Sequence, residues 1–159
     1  MSKAKQLTSI GLVKSKADKL TTNTPESGRV IISFKYLYKL KSGCFDEISA
    51  CAWKNRNREY FKELERFLFE AESNCKNISE MISQYTSRYG SKIYGNNNST
   101  VNRILKNFRK AYPEDAGLLS DHLLHVHAKR GGKGMFVIYG VTYDSTFYVL
   151  GFDPNHNSL

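Results

Sequence analysis

The sequence predicts an α+β fold, an antiparallel sheet of about four strands packed against a central helical segment. Three observations predict it. Residues 29–38 alternate in the period of two that marks a strand. Residues 53–108 place apolar side chains every third or fourth position, the helical period. Residues 124–152 return to alternation in three successive runs. One strand, then helices, then a three-strand meander segregates the two kinds of element, as α+β chains do.

In the first strand, Val30, Ile32, Phe34, Tyr36 and Tyr38 point one way, and Arg29, Ser33, Lys35 and Lys39 the other. Ser42-Gly43 breaks the run. Trp53, Tyr60, Phe61, Leu64, Phe67, Leu68 and Ala71 then form one apolar stripe, read as a single long helix. Arg58, Glu59, Lys62, Glu63, Glu65 and Arg66 lie opposite as a solvated face of mixed sign. Asn77-Ile-Ser-Glu80 resembles a capping box, with Ile78, Met81, Ile82, Tyr85 and Tyr89 buried behind it. Gly90 to Asn98 reads as a loop. Asn98 or Ser99 caps a third helix, with Val101, Ile104, Leu105 and Phe108 inward and Arg103, Lys106, Arg109 and Lys110 outward. Pro113 ends it.

In the meander, Leu124 and Val126 alternate with His125 and His127. Lys129-Arg-Gly-Gly-Lys-Gly134 is a basic glycine-rich turn. Met135, Val137, Tyr139 and Val141 alternate with Phe136, Ile138 and Gly140, Asp144-Ser145 turns, and Phe147 to Phe152 closes the sheet before Asp153-Pro-Asn-His156. Domain organisation is one unit over residues 28–159, preceded by a basic leader at 1–27. The leader sets five lysines against Asp18 and Glu26, a surplus of three positive charges. It reads either as a solvated tail or as an arm drawn to phosphates.

The chain has 159 residues, 24 Lys+Arg against 15 Asp+Glu, and a net charge of +9. Its 40% hydrophobic content supports a packed core. Length and composition exclude a transmembrane protein, a disulfide miniprotein and a multidomain enzyme. The basic balance points to an anionic partner, nucleic acid first. Cys44, Cys51 and Cys75 are odd in number and lack C-x-x-C spacing, which suits reduced thiols and a cytoplasmic setting.

Three features of the meander carry the candidate chemistry. His125 and His127 share a strand face with Lys129, either as imidazoles able to move protons near neutral pH or as surface histidines. Lys129, Arg130 and Lys133 flank glycines that let a backbone approach phosphate. His156, after Pro154, falls at the sheet edge close to Lys35 or His127. Tyr139 is one of several strand tyrosines suited to stacking on bases. His122, His125 or His127, Asp153 and His156 are the residues from which a metal site would be drawn, but their spacing matches no structural zinc pattern, so no metal and no cofactor is expected.

The element order, with the run Met135-Phe-Val-Ile-Tyr-Gly-Val and the closing Thr146-Phe-Tyr-Val-Leu-Gly-Phe-Asp-Pro-Asn-His156, resembles the RelE/ParE-like toxins. More broadly it is similar to the compact ribonuclease superfamily that groups them with barnase-like and colicin-type nucleases. The resemblance covers residues 29–35 and 118–157. The helical insert is longer than in the compact toxins, and Tyr139 stands where their penultimate strand usually carries an Arg. The resemblance implies a small, basic, metal-independent endoribonuclease, a toxin of a toxin–antitoxin or phage-defence system. In that reading His127 and His156 transfer protons and His125 and Tyr139 orient or stack. Lys129, Arg130 and Lys133, with Lys35 and Arg109, hold phosphate. RNA and an acidic antitoxin-like protein are the expected partners, with no membrane. The alternative is a non-catalytic nucleic-acid-binding or antitoxin-partnered protein.

Overall fold

A computed structural model describes residues 29–40, 45–54, 58–86, 92–94, 98–119 and 122–156. The basic leader, Cys44, Tyr89 and the Ser42-Gly43 break lie outside the described residues. The chain runs β1 (Ile31–Ser33), α1 (Phe45–Lys54), α2 (Tyr60–Asn74), α3 (Ile78–Tyr85), β2 (Lys92–Tyr94), α4 (Ser99–Ala111), β3 (His122–Lys129), β4 (Lys133–Tyr143) and β5 (Thr146–Asp153). Short 3₁₀ turns occupy Leu37–Lys39, Pro113–Leu118 and Arg130–Gly132.

The class is α+β, and the meander β3–β4–β5 is antiparallel as its alternation predicts. The sheet is nevertheless mixed and has five strands, in the order β1-β5-β4-β3-β2. β1 pairs parallel with β5, Ile31 opposite Thr146 and Ser33 opposite Tyr148, which corrects the expected purely antiparallel sheet of about four strands. A parallel partner needs a long connection, and the helices together with β2, β3 and β4 lie between β1 and β5 in the chain. β2 pairs antiparallel with β3 from within the span read as a loop. Three residues are too few for a periodic signal to show.

β1 is shorter than its alternation suggests. The chain turns at Lys35 and Tyr36, and Tyr36 enters an aromatic cluster with Phe108, Tyr112 and Tyr148 at ring distances of 5.0–5.3 Å. The alternating aromatics are thus spent on packing rather than on strand length. The long helical stripe is also interrupted. α1 ends at Lys54 and α2 begins at Tyr60, and Trp53 and Phe61 are exposed. The buried face of α2 is Tyr60, Leu64, Phe67 and Ala71, a clean three-and-four spacing.

Capping follows the sequence closely. Asn77 Oδ1 accepts from the Glu80 amide at 2.8 Å, and the Glu80 carboxylate accepts from the Lys76 amide at 2.7 Å. Asn98, not Ser99, caps α4, accepting from the Val101 amide at 2.9 Å. The buried face of α4 is the expected Val101, Ile104, Leu105 and Phe108.

Both faces of the sheet are covered. Phe136 touches Tyr60 of α2, and Phe152 touches Phe45 of α1, so these helices cover the face opposite the histidines. Where β5 crosses Gly140 the register slips by one residue, because Tyr139 pairs with Gly151 but Gly140 with Val149. The Phe147 ring lies against Gly140, where an added Cβ would stand 2.6 Å from the ring and 2.4 Å from the Tyr148 carbonyl oxygen. Gly140→Ala should therefore destabilise the protein by about 1–3 kcal/mol, through overpacking with no change in exposed area. Urea unfolding should show a lower midpoint at unchanged slope.

Candidate functional site

Ladder pairing dictates which side chains meet, because residues opposite one another project to the same face. His127 lies opposite Val137, which lies opposite Asp153. One row along, His125 lies opposite Tyr139, which lies opposite Gly151. The His125 and Tyr139 rings stack with centroids 5.6 Å apart and 20° between planes. The two imidazoles of β3 sit 4.7 Å apart.

His156 joins them from beyond the end of β5. Pro154 and Asn155 form a turn, and the His156 amide donates to the Asp153 carbonyl at 3.4 Å. His156 adopts a left-handed backbone with φ +53°, unusual for histidine, and this swings its ring back over the sheet. Its centroid is 5.1 Å from both His125 and His127. One ring nitrogen from each of the three lies within 4.8 Å of the others.

The turn is braced from α2. The Arg58 guanidinium makes a two-pronged pair with Glu63 at 2.7 and 3.0 Å and donates to the Pro154 carbonyl at 2.7 Å. The Tyr60 hydroxyl donates to Asn155 Oδ1 at 2.8 Å, and the Arg58 guanidinium stacks over the Tyr60 ring. Arg58 and Glu63, expected on a solvated face, are therefore half-buried supports of the turn that carries His156, with Arg58 98 positions before that histidine. No local pattern in the sequence marks them, since both also fit the polar stripe of a helix.

Burial sets the electrostatics. His125 and His127 are buried, 7% and 4% exposed, which settles their choice between surface and interior. His156 is half-buried and is the most exposed of the three. Desolvation pushes the His125 imidazole down to about 4, helped by His127 and His156 and opposed by Asp153. Desolvation also lowers His127, against the raising effect of its bond to Gly134. That bond runs from His127 Nδ1 to the Gly134 carbonyl at 2.9 Å. A carbonyl only accepts, so Nδ1 carries the proton and Nε2 presents a lone pair to the cluster. His125 Nε2 and His156 Nε2 are buried with no hydrogen-bond partner.

The basic turn adjoins the cluster through Gly134. Gly131, Gly132 and Gly134 all take positive φ, from +62° to +93°, which only glycine adopts freely. Lys129 and Lys133 face each other across the neck of the hairpin and are exposed. A register shift lies between His127 and Lys129, where one residue of β3 faces three of β4. Arg130 leans on Glu70 at 4.0 Å and on the Tyr85 hydroxyl.

The fold thus brings together His125, His127, Tyr139 and His156, with Lys129, Arg130 and Lys133 at the adjoining turn. Lys35 is not among them. Its partners are Tyr36 and Asp115, the latter at 3.7 Å, so His156 lies by His127 and not by Lys35. Arg109 occupies the last turn of α4, where its neighbour Phe108 packs against Tyr36. The His122 side chain lies outside the described residues. His125, His127 and His156 nevertheless form a group able to hold a metal ion, although no metal was expected from their spacing. The missing signal was tertiary: His156 enters by a turn, not by a spaced motif.

The chain matches no known family model, no curated protein and no solved structure. No described helix is long and apolar enough to cross a membrane.

Two predictions follow from the cluster and its brace. The folded His125 pKa lies below the ordinary 6.5, so the unfolded chain binds more protons between about pH 4 and 6.5. Stability should fall as pH drops through that window, by up to about 3 kcal/mol for this group alone. Urea unfolding in EDTA across pH 4–7 checks this, and His125→Gln should flatten the slope. Arg58→Lys should cost about 1–3 kcal/mol, because an ammonium cannot reproduce the two-pronged pair and the bond to Pro154 together. It should also shift the His156 ring resonances in NMR spectra.

Proposed function

We propose that the protein is a small basic endoribonuclease that cleaves a phosphodiester without a metal. The observation that carries this reading is the gathering of His125, His127, Tyr139 and His156 at one end of the sheet, joined through Gly134 to a basic turn.

His127 Nε2 takes the proton of a ribose 2′-hydroxyl, and the 2′-oxygen attacks phosphorus. His156 donates a proton to the leaving 5′-oxygen as its bond to phosphorus breaks. The products are a 2′,3′-cyclic phosphate and a 5′-hydroxyl. Each proton transfer contributes about 10²–10⁴-fold. Lys129 and Lys133 stabilise charge on the phosphate, with Arg130 beside them. Like charges directly opposite across a ladder repel, and a phosphate between Lys129 and Lys133 would relieve that repulsion. His125 and Tyr139 form the stacked floor that positions His127. The resemblance of the element order and closing strands to the compact ribonuclease superfamily is the ground for extending the reading to a toxin in a cytoplasmic setting.

A second reading is a non-catalytic nucleic-acid-binding or antitoxin-partnered protein. Exposed Phe61 and Phe69 on α2 favour its protein-partner form.

An RNA-cleavage assay in EDTA tests the choice. Wild type should cut, and His127→Ala and His156→Asn should each lose about 10²-fold or more. Asn is chosen because it tolerates the left-handed backbone at 156. Undiminished cutting by both variants sinks the assignment. Salt-dependent RNA binding with no cutting by wild type, in EDTA or with Zn²⁺ added, selects the nucleic-acid-binding form of the second reading.

A further inference from the structure

We propose that His125, His127 and His156 form a binding site for a divalent transition-metal ion, with Zn²⁺ the ion that suits their donors. The site stands on the geometry of the cluster and goes beyond the ribonuclease reading.

Three independent features converge. The ligand atoms of the three imidazoles lie within 4.8 Å of one another. A tetrahedral ion with nitrogen bonds of about 2.1 Å sets its ligands roughly 3.4 Å apart, so modest ring rotations close the set. His125 Nε2 and His156 Nε2 are buried and unpartnered, a costly state that a metal bond removes. His127 donates Nδ1–H to the Gly134 carbonyl at 2.9 Å, the outer bond that fixes the tautomer of a metal-bound histidine and turns the other nitrogen inward. Imidazole suits zinc, cobalt, nickel and copper rather than magnesium or calcium. Three protein ligands leave a fourth position for water or an anion, as exchangeable zinc sites do. The sheet holds two of the ligands and the Arg58-braced turn holds the third, so no ligand depends on a long unsupported side chain.

The consequence for activity rests on the ribonuclease reading. An ion on His127 and His156 occupies the lone pairs that proton transfer needs. Zn²⁺ should then act as a reversible inhibitor of EDTA-resistant cleavage.

The test uses the full chain stripped with EDTA and dialysed. Titration with Co²⁺, read by visible absorption, and with Zn²⁺, read by calorimetry, should each give one ion per chain. The Co²⁺ bands should have the high intensity of four-coordination. His127→Ala and His156→Asn should each weaken Zn²⁺ binding by more than the roughly 10–100-fold that loss of an outer partner costs. Apo thermal unfolding of His156→Asn close to wild type shows that this loss is not misfolding. No Co²⁺ band and no Zn²⁺ heat, or wild-type affinity in both variants, overturns the site. The cleavage assay separates the two proposals. EDTA-resistant cutting without metal binding overturns the site and leaves the nuclease standing. Binding without any cutting supports the site and overturns the nuclease. Cutting that requires Zn²⁺ supports the site and overturns both metal independence and inhibition by Zn²⁺.

Discussion

Burying imidazoles inside a sheet is the constraint on which the rest of the structure depends. His125 and His127 alternate with Leu124, Val126 and Ala128, all buried, so β3 has no solvent face along this stretch. An unpaired buried polar nitrogen costs about 1–3 kcal/mol. The apolar layer behind the sheet, with Phe136, Ile138 and Phe152 against α1 and α2, supplies the burial that offsets it. The antiparallel register then decides which groups share the polar pocket. A slip of one residue would send both imidazoles to the opposite face, among the phenylalanines. The hairpin at Gly131–Gly134 and the tight packing at Gly140 hold the strands against that slip.

The third imidazole depends on a different kind of support. His156 follows the last strand and belongs to no ladder. Its position comes from Pro154, the left-handed backbone, and the reach of Arg58 and Tyr60 across from the start of α2. The helical segment is therefore more than a cover for the sheet. Arg58, two residues before α2, carries the guanidinium that ties the Pro154–Asn155 turn to the domain. Partial burial makes that pair strong enough to serve, since a fully exposed one contributes little. The contrast is visible on the same helix, where Glu59 and Lys62 pair at 2.6 Å but lie open to water.

Local periodicity was legible in the sequence, and so were its consequences. The shared face of His125 and His127, the inward residues of α3 and α4, and the Asn77 and Asn98 caps all follow from spacings of two, three and four. What was not legible is non-local. The parallel partner of β1 and the strand at Lys92–Tyr94 depend on pairing across tens of residues. The burial of the histidines depends on what covers them, and alternation reports faces but not depth. Arg58 and Glu63 fit a solvated helix stripe equally well, so composition could not show that they brace the site. Tyr36 carried a strand pattern that tertiary packing overrode, drawing it into the cluster of Phe108, Tyr112 and Tyr148.

The distribution of charge separates two tasks. Desolvation keeps His125 and His127 below their ordinary proton affinity, so inside the sheet these imidazoles are neutral donors of lone pairs. The permanent cations stand outside, on the glycine turn, where water carries their solvation cost. Neutral nitrogen inside and fixed charge outside suits a reaction in which a phosphate rests on the turn and only its reacting edge meets the imidazoles. The same neutrality gives a lone pair to a proton or to a metal ion, and burial alone does not choose between them. The choice falls to His156, the most exposed of the three, whose ring closes the triangle only while the Arg58 brace holds its turn in place. In both proposed roles the site depends on a residue outside the sheet and on a guanidinium 98 positions before it.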